Sequence, residues 1–309
     1  MAILTGTDCA VSRLGTGMEN CQPIEGLPNG FIAVPKGWSL NKTSGTFDLA
    51  YVQDQIQQGI FVPFIGTFET VSETPEATTE ESQSGIMSTV RQGKPMYTCT
   101  FKKGLAFHAA AFSYNSVNQY DFLITYETGM IKCAESVDGT TIKGFDGGML
   151  NTNGYQENNG TNTASTVLKF QLVDPLEYNQ YAVLLTPENI GFNPNTEISG
   201  IIDVVITGRA DVSDNKIWIK PVWKFNNFFS ITGLAAANLR LTIDGVDDPI
   251  VGAIVYDAGT KEYEITPTAT LTTLNAVVVS LYDSVNVVAV AQVGNKFYRG
   301  ATAAITPVA

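Results

Sequence analysis

The sequence predicts a mainly β fold with one clear helix, ending in a small C-terminal β-sandwich. Three observations carry that expectation. Turn dipeptides recur, at Asn29-Gly30, Asp138-Gly139, Asn153-Gly154, Asn159-Gly160 and Asp244-Gly245. Between them lie short runs rich in Val, Ile, Thr, Tyr and Phe, at residues 31–34, 122–126, 167–172 and 201–206. Only one segment, from Ser44 or Thr46 to Gln58, has a clear helical stripe: Leu49, Val52 and Ile56 share a face and Gly59 follows as a stop.

Taken in order, residues 60–68 read as a strand. Residues 69–81 then hold five glutamates (Glu69, Glu73, Glu76, Glu80 and Glu81) and no basic residue; none occurs between Lys42 and Arg91. With strand-like residues 85–90 beyond, this segment predicts a long β-hairpin or a strand pair with an acidic tip. The plainer alternative is a solvated acidic loop. Residues 151–165 contain five asparagines and read as a loop. Residues 174–181 read as a second, weaker helix with Pro175 in its first turn.

Residues 216–229 concentrate Lys216, Lys220 and Lys224 around Trp218 and Trp223. Such a segment suits a hydrophobic seam between domains, or an aromatic platform for a sugar. From residue 233 onward, strand-like runs at 239–243, 250–256, 262–267, 275–282, 285–293 and 296–305 repeat every ten to twelve residues, the spacing of a small sandwich. The expected division is therefore a β domain over 1–215, a linker over 216–232 and a β-sandwich over 233–309.

Composition narrows the function classes. Of 309 residues, 16% are charged, against about 25% in a typical soluble domain. The net charge of -12 excludes a basic nucleic-acid binder. No window reaches 18 apolar residues, so no membrane insertion by a helix is expected. The N-terminus lacks a basic region and an apolar run, so no signal peptide is expected and the sequons at Asn41 and Asn159 read as chance matches.

Chemistry-bearing motifs are sparse. His108 is the single histidine; Ser113 and Ser116 lie near it, without a G-x-S-x-G elbow. His108 reads as a packed strand-end residue beside Phe107. The four cysteines, Cys9, Cys21, Cys99 and Cys133, form no CxxC pair and read as small hydrophobes rather than metal ligands. Asp244, Asp247, Asp248 and Asp257 cluster without calcium-loop spacing. The glycines from Gly144 to Gly148 lack the following helix of a phosphate loop. No catalytic residue, metal or cofactor is expected, and the chain reads as structural rather than enzymatic. Many β-edges on a weakly charged surface suit self-assembly.

The helix at 49–58, the residues 73–81, then Gly85, the stretch Val90-Arg-Gln-Gly93 and the stretch Tyr97-Thr-Cys-Thr-Phe101, with the later strand at 167–175, together resemble virion structural proteins of phages infecting Bacteroidetes. In particular the pattern is similar to tail tube and related ring-forming proteins. The resemblance covers roughly residues 1–210, and the last ~75 residues are similar in texture to the Ig-like modules appended to tube and capsid proteins. It implies a tail-tube-like β-barrel or sandwich with one flanking helix, a hexameric ring of identical copies, contacts with other virion proteins, and a hairpin lining a lumen. With five glutamates per copy, a six-membered ring would carry roughly thirty carboxylates, which repel DNA phosphates and let the duplex slide through unbound. It places the protein in the virion, assembled in the host cytoplasm. Alternatives in the same class are a head-tail connector or capsid decoration protein; a different class is a glycan-binding adhesin using Trp218 or Trp223.

Overall fold

The computed structural model of the chain describes residues 25–309, except Ile86. It is mainly β, with 45% of residues in strands and 12% helical. Two compact units are present. One comprises the described residues up to Gln55 together with Ile60–Ile198; the other comprises Ser199–Ala309 with Ile56–Gly59.

The first unit contains β1 (Pro28–Pro35), β2 (Ser39–Asn41), α1 (Leu49–Gln57), β3 (Val62–Ile65), β4 (Glu69–Glu73), β5 (Thr78–Glu81), β6 (Met87–Arg91), β7 (Met96–Phe101) and α2 (Leu105–Phe112). There follow β8 (Ser116–Val117), β9 (Tyr120–Tyr126), β10 (Ile131–Glu135), β11 (Thr141–Lys143), β12 (Gly147–Thr152), β13 (Thr166–Leu172), α3 (Pro175–Gln180), β14 (Ala182–Leu185) and two single helical turns, α4 (Pro187–Ile190) and α5 (Pro194–Glu197). One sheet runs β2-β11-β10-β9-β1-β3, with β14 added to β10; a second runs β4-β7-β13-β12-β8.

The two sheets meet through aromatic side chains. Phe31 on β1 lies 4.5 Å, ring to ring, from Phe170 on β13. Phe122 on β9 lies 4.7 Å from Phe170, and Tyr97 on β7 stacks on it at 4.9 Å. The strand alternation places them there: on β7, Tyr97, Cys99 and Phe101 are buried while Met96, Thr98 and Thr100 are not. Burying rings of this size is the main stabilising term of the unit.

The helix predicted around Leu49 forms, but one turn later at its start. The Asp48 carboxylate accepts a hydrogen bond from the Tyr51 N–H at 2.9 Å, capping the helix. Gly59 takes φ +75°, beyond its end. The helix at Pro175 also forms, with Asp174 accepting from the N–H groups of Leu176 and Glu177. α2 was not expected. Its sequence, LAFHAAAF, is apolar around most of its circumference and shows no helical stripe. His108 therefore sits on a helix, not at a strand end. Asn29-Gly30 is not a turn: Gly30, at φ +137°, forms a bulge inside β1 where a Cβ would meet the Phe64 carbonyl oxygen at 2.1 Å.

The second unit contains β15 (Ile201–Asp211), β16 (Lys216–Trp223), β17 (Asn226–Ser230), β18 (Leu239–Ile243), β19 (Val246–Asp247), β20 (Val255–Asp257), β21 (Glu262–Ile265), β22 (Val277–Leu281), β23 (Ala291–Val293) and β24 (Lys296–Arg299). Its larger sheet runs β20-β21-β16-β15-β24-β23, with β17 on β16; the smaller runs β19-β18-β22. The expected domain boundary is corrected here. Residues 216–232 are no linker, since β16 lies mid-sheet between β15 and β21. The reason is legible in the alternation of β16: Ile217 and Ile219 are fully buried, whereas Lys216, Trp218 and Lys220 face outward. The chain divides between Ile198 and Ser199.

Candidate functional site: a projecting acidic hairpin

The acidic segment is one arm of a long hairpin. β4 pairs with β7 in the register Glu69 with Thr100, Val71 with Thr98 and Glu73 with Met96. Further out, β5 pairs with β6, Thr79 facing Thr89, Glu80 facing Ser88 and Glu81 facing Met87. Between the two ladders lies an irregular waist at residues 74–77 and 92–95. The tip closes through the Gly85 N–H donating to the Ser82 carbonyl at 2.9 Å, with Gly85 at φ +75°.

Every described residue from Val71 to Gln92 is exposed. Those exposed include Val71, Met87 and Val90. Opposed residues in an antiparallel pair share a face, so Glu81 and Met87 lie on one face of the outer hairpin and Glu80 with Ser88 on the other. Among the described residues, none of Glu69, Glu73, Glu76, Glu80 and Glu81 has a cation within ion-pair distance. Two-stranded hairpins are marginal in water when they pack on nothing.

Trp218 and Trp223 do not form a shared platform. They lie on opposite faces of β16, and the Arg209 guanidinium covers Trp218 at 4.1 Å while pairing with Glu262 at 3.0 Å. Trp223 packs against the core of the second unit and against Phe229 at 5.1 Å.

The other residues singled out in the sequence are engaged structurally. His108 Nδ1 lies 3.4 Å from the Thr166 hydroxyl, and Ser113 donates to the Ala110 carbonyl at 2.6 Å, so this serine and histidine form no nucleophile–base pair. Asp244 accepts from Asn275 and the Ala276 N–H, and Asp247 is forked by Arg240. Asp248 accepts from the Thr268 N–H, and Asp257 from the Gly259 N–H. Among the described residues no group of three or more His, Cys, Asp or Glu is placed to hold a metal ion. Gly144 and Gly147 are close-packing positions, where a Cβ would meet the Asp121 side chain at 2.7 Å and the Tyr120 carbonyl at 2.1 Å. Cys99 and Cys133 are buried free thiols; burial pushes the Cys99 thiol up to about 12. Cys9 and Cys21 lie outside the described residues.

Sequence reasoning missed a charge network at one end of the first unit, built on two buried carboxylates, Asp121 and Glu177, with partly exposed partners. Asp121 accepts from the N–H groups of Gly37 and Gly147 and pairs with Lys36 at 3.3 Å. Lys36 also holds Asp146, whose own N–H donates to Glu177, and Lys143 pairs with Glu177. The carboxylates could pass for an acid–base pair, but these partners commit them to fixing the Gly144–Gly147 corner. Only their separation in sequence hid them.

No helix among the described residues is long and apolar enough to cross a membrane. No protein-family model matches the chain, and no curated protein sequence matches it significantly.

Proposed function

We propose that the chain is a self-assembling structural subunit of a phage particle, forming a ring or tube whose acidic hairpins line a channel for DNA. The observation that carries this reading is the outer hairpin: residues 74–92 are exposed wherever described, and Glu76, Glu80 and Glu81 on it have no cation within ion-pair distance among the described residues, while Glu69 and Glu73 lie at its base on β4. A second copy supplies the missing surface. Facing a channel, the remaining carboxylates repel phosphate and oppose the counterion release that makes a basic lumen sticky. The resemblance to tail tube proteins in the helix, hairpin and strand succession supports the same role. Other virion proteins complete the particle, and DNA passes without specific binding.

Imaging of the purified chain tests the reading. It predicts closed rings or stacked tubes with a central channel. Reversing Glu73, Glu76 and Glu80 to lysine is expected to leave particle assembly intact and to slow DNA ejection at least tenfold. Normal ejection from such particles removes the channel role.

A further inference from the structure

The second unit carries an exposed feature that its core leaves unused. β16 ends at Trp223, and the chain turns through Lys224 and Phe225 into β17. Phe225 is 68% exposed, Phe228 88% and Phe229 54%. Beside them, the half-buried Trp223 indole is flanked by the Phe229 ring at 5.1 Å and by Lys296 Nζ at 5.7 Å. Lys224 Nζ lies 5.6 Å from the Phe225 ring. Among the described residues, neither Lys224 nor Lys296 has a carboxylate within ion-pair distance. Three exposed phenylalanines within five residues suit an interface core better than a solvated turn, with the unpaired lysines at its polar rim.

We propose that this aromatic and basic patch is the docking surface for the acidic hairpin of a second copy of the chain. The inference rests on the ring-forming reading and deepens it by naming the two surfaces that meet. Charge complementarity selects the occupant. On a chain of net charge -12 the patch is locally cationic and unpaired, whereas the hairpin is anionic and unpaired. Apolar groups match as well: Met87, 66% exposed, shares the Glu81 face and can reach a phenylalanine while Glu81 meets a lysine. The opposite face, with Glu80, stays free for the channel. Because patch and hairpin are different surfaces, the contact is head-to-tail, and copies joined this way close into rings or propagate as tubes. Exposed ion pairs weaken with salt, so assembly is salt-sensitive.

The test uses the full chain and light scattering over a concentration series, with thermal unfolding as the fold control. Phe228→Ser, Lys224→Glu and Glu81→Lys are each expected to raise the concentration needed for assembly at least tenfold without moving the unfolding temperature. Lys224→Glu and Glu81→Lys combined in one chain are expected to weaken assembly less than the product of their separate effects, because the pair is restored in reverse. If all three variants assemble like the parent chain, the docking inference is overturned and the ring reading stands. If the double variant shows no coupling, the hairpin is not the occupant. If the parent chain remains a monomer throughout, both fall. Binding of the patch to heparin or to DNA with assembly unaffected also overturns the inference.

Discussion

The backbone of Gly93 passes so close to Pro75 that a Cβ on Gly93 would lie 1.6 Å from the Pro75 carbonyl oxygen. This contact is the waist of the acidic hairpin, where the inner ladder of β4 and β7 gives way to the outer ladder of β5 and β6. Neither arm can yield easily, because the obstructing atom belongs to the backbone. Gly93→Val is therefore expected to splay the outer hairpin. Limited proteolysis should then cut within residues 74–95 at least tenfold faster than in the parent chain. The unfolding temperature should stay within a few degrees, since the waist lies outside the aromatic core.

The core makes the opposite prediction. Phe170 is fully buried and contacts Phe31, Phe122 and Tyr97 across both sheets of the first unit. Phe170→Ala is expected to cost about 3–5 kcal/mol through lost burial and the cavity left behind. Denaturant unfolding should show it as a lower midpoint with unchanged slope. A loss under about 1 kcal/mol would mean the sheets do not meet at this ring.

Alkaline pH should destabilise the first unit. The Tyr97 and Tyr178 hydroxyls are hydrogen-bonded at 2.6 Å, and burial pushes the Tyr97 phenol far above its ordinary value. Burial, with Glu25 nearby, does the same to Tyr126. In the unfolded chain these phenols ionise near pH 10. The folded chain keeps its protons, so the stability they contribute is complete below about pH 10 and falls as pH rises above it. Lys36 acts in the same direction: burial works against its charge, but Asp146 and Asp121 outweigh burial and raise it, so its contribution is also lost on alkalinisation. Unfolding temperature measured from pH 8 to 11 should hold to about pH 10 and then drop. A flat profile to pH 11 would contradict the buried hydroxyl pair.

The domain boundary gives a sharp fragment test. A fragment of residues 199–309 keeps β15 and β16, which supply Val204, Ile206, Ile217 and Ile219 to the core of the second unit. A fragment of residues 233–309 lacks all four. The longer fragment should melt cooperatively with dispersed amide resonances, and the shorter one should not. Cooperative folding of the shorter fragment would restore the boundary expected from sequence.

Those two boundaries show what was legible in the chain and what was not. Short runs rich in β-branched and aromatic residues identified β1, β9 and β13, since β1 and β9 are buried on both faces and so read as continuous apolar runs; the Leu49 stripe identified α1, whose two sides meet different environments. The turn dipeptide Asp244-Gly245 also held: both residues take positive φ, at 53° and 79°, and join β18 to β19 as a tight hairpin. Asn29-Gly30 misled because a bulge, like a turn, favours a glycine at positive φ; Gly30 takes φ +137°. α2 escaped because its residues are apolar on nearly every side, which erases the stripe. β16 was read as a linker because its lysines and tryptophans were weighed as a composition rather than as alternate faces of one strand. The acidic arm was visible as a hairpin, since turn residues and β-formers flank it. Its irregular waist was not, because a glycine beside a carbonyl of the opposite arm leaves no local pattern.

The central claim is self-assembly through the projecting hairpin, and the most direct measurement is the mass and symmetry of the purified full chain. Light scattering across a hundredfold range of concentration, followed by imaging of the heaviest species, is expected to give closed rings or stacked tubes around a channel, dispersed by high salt. A strict monomer at every concentration and at low salt would contradict the account.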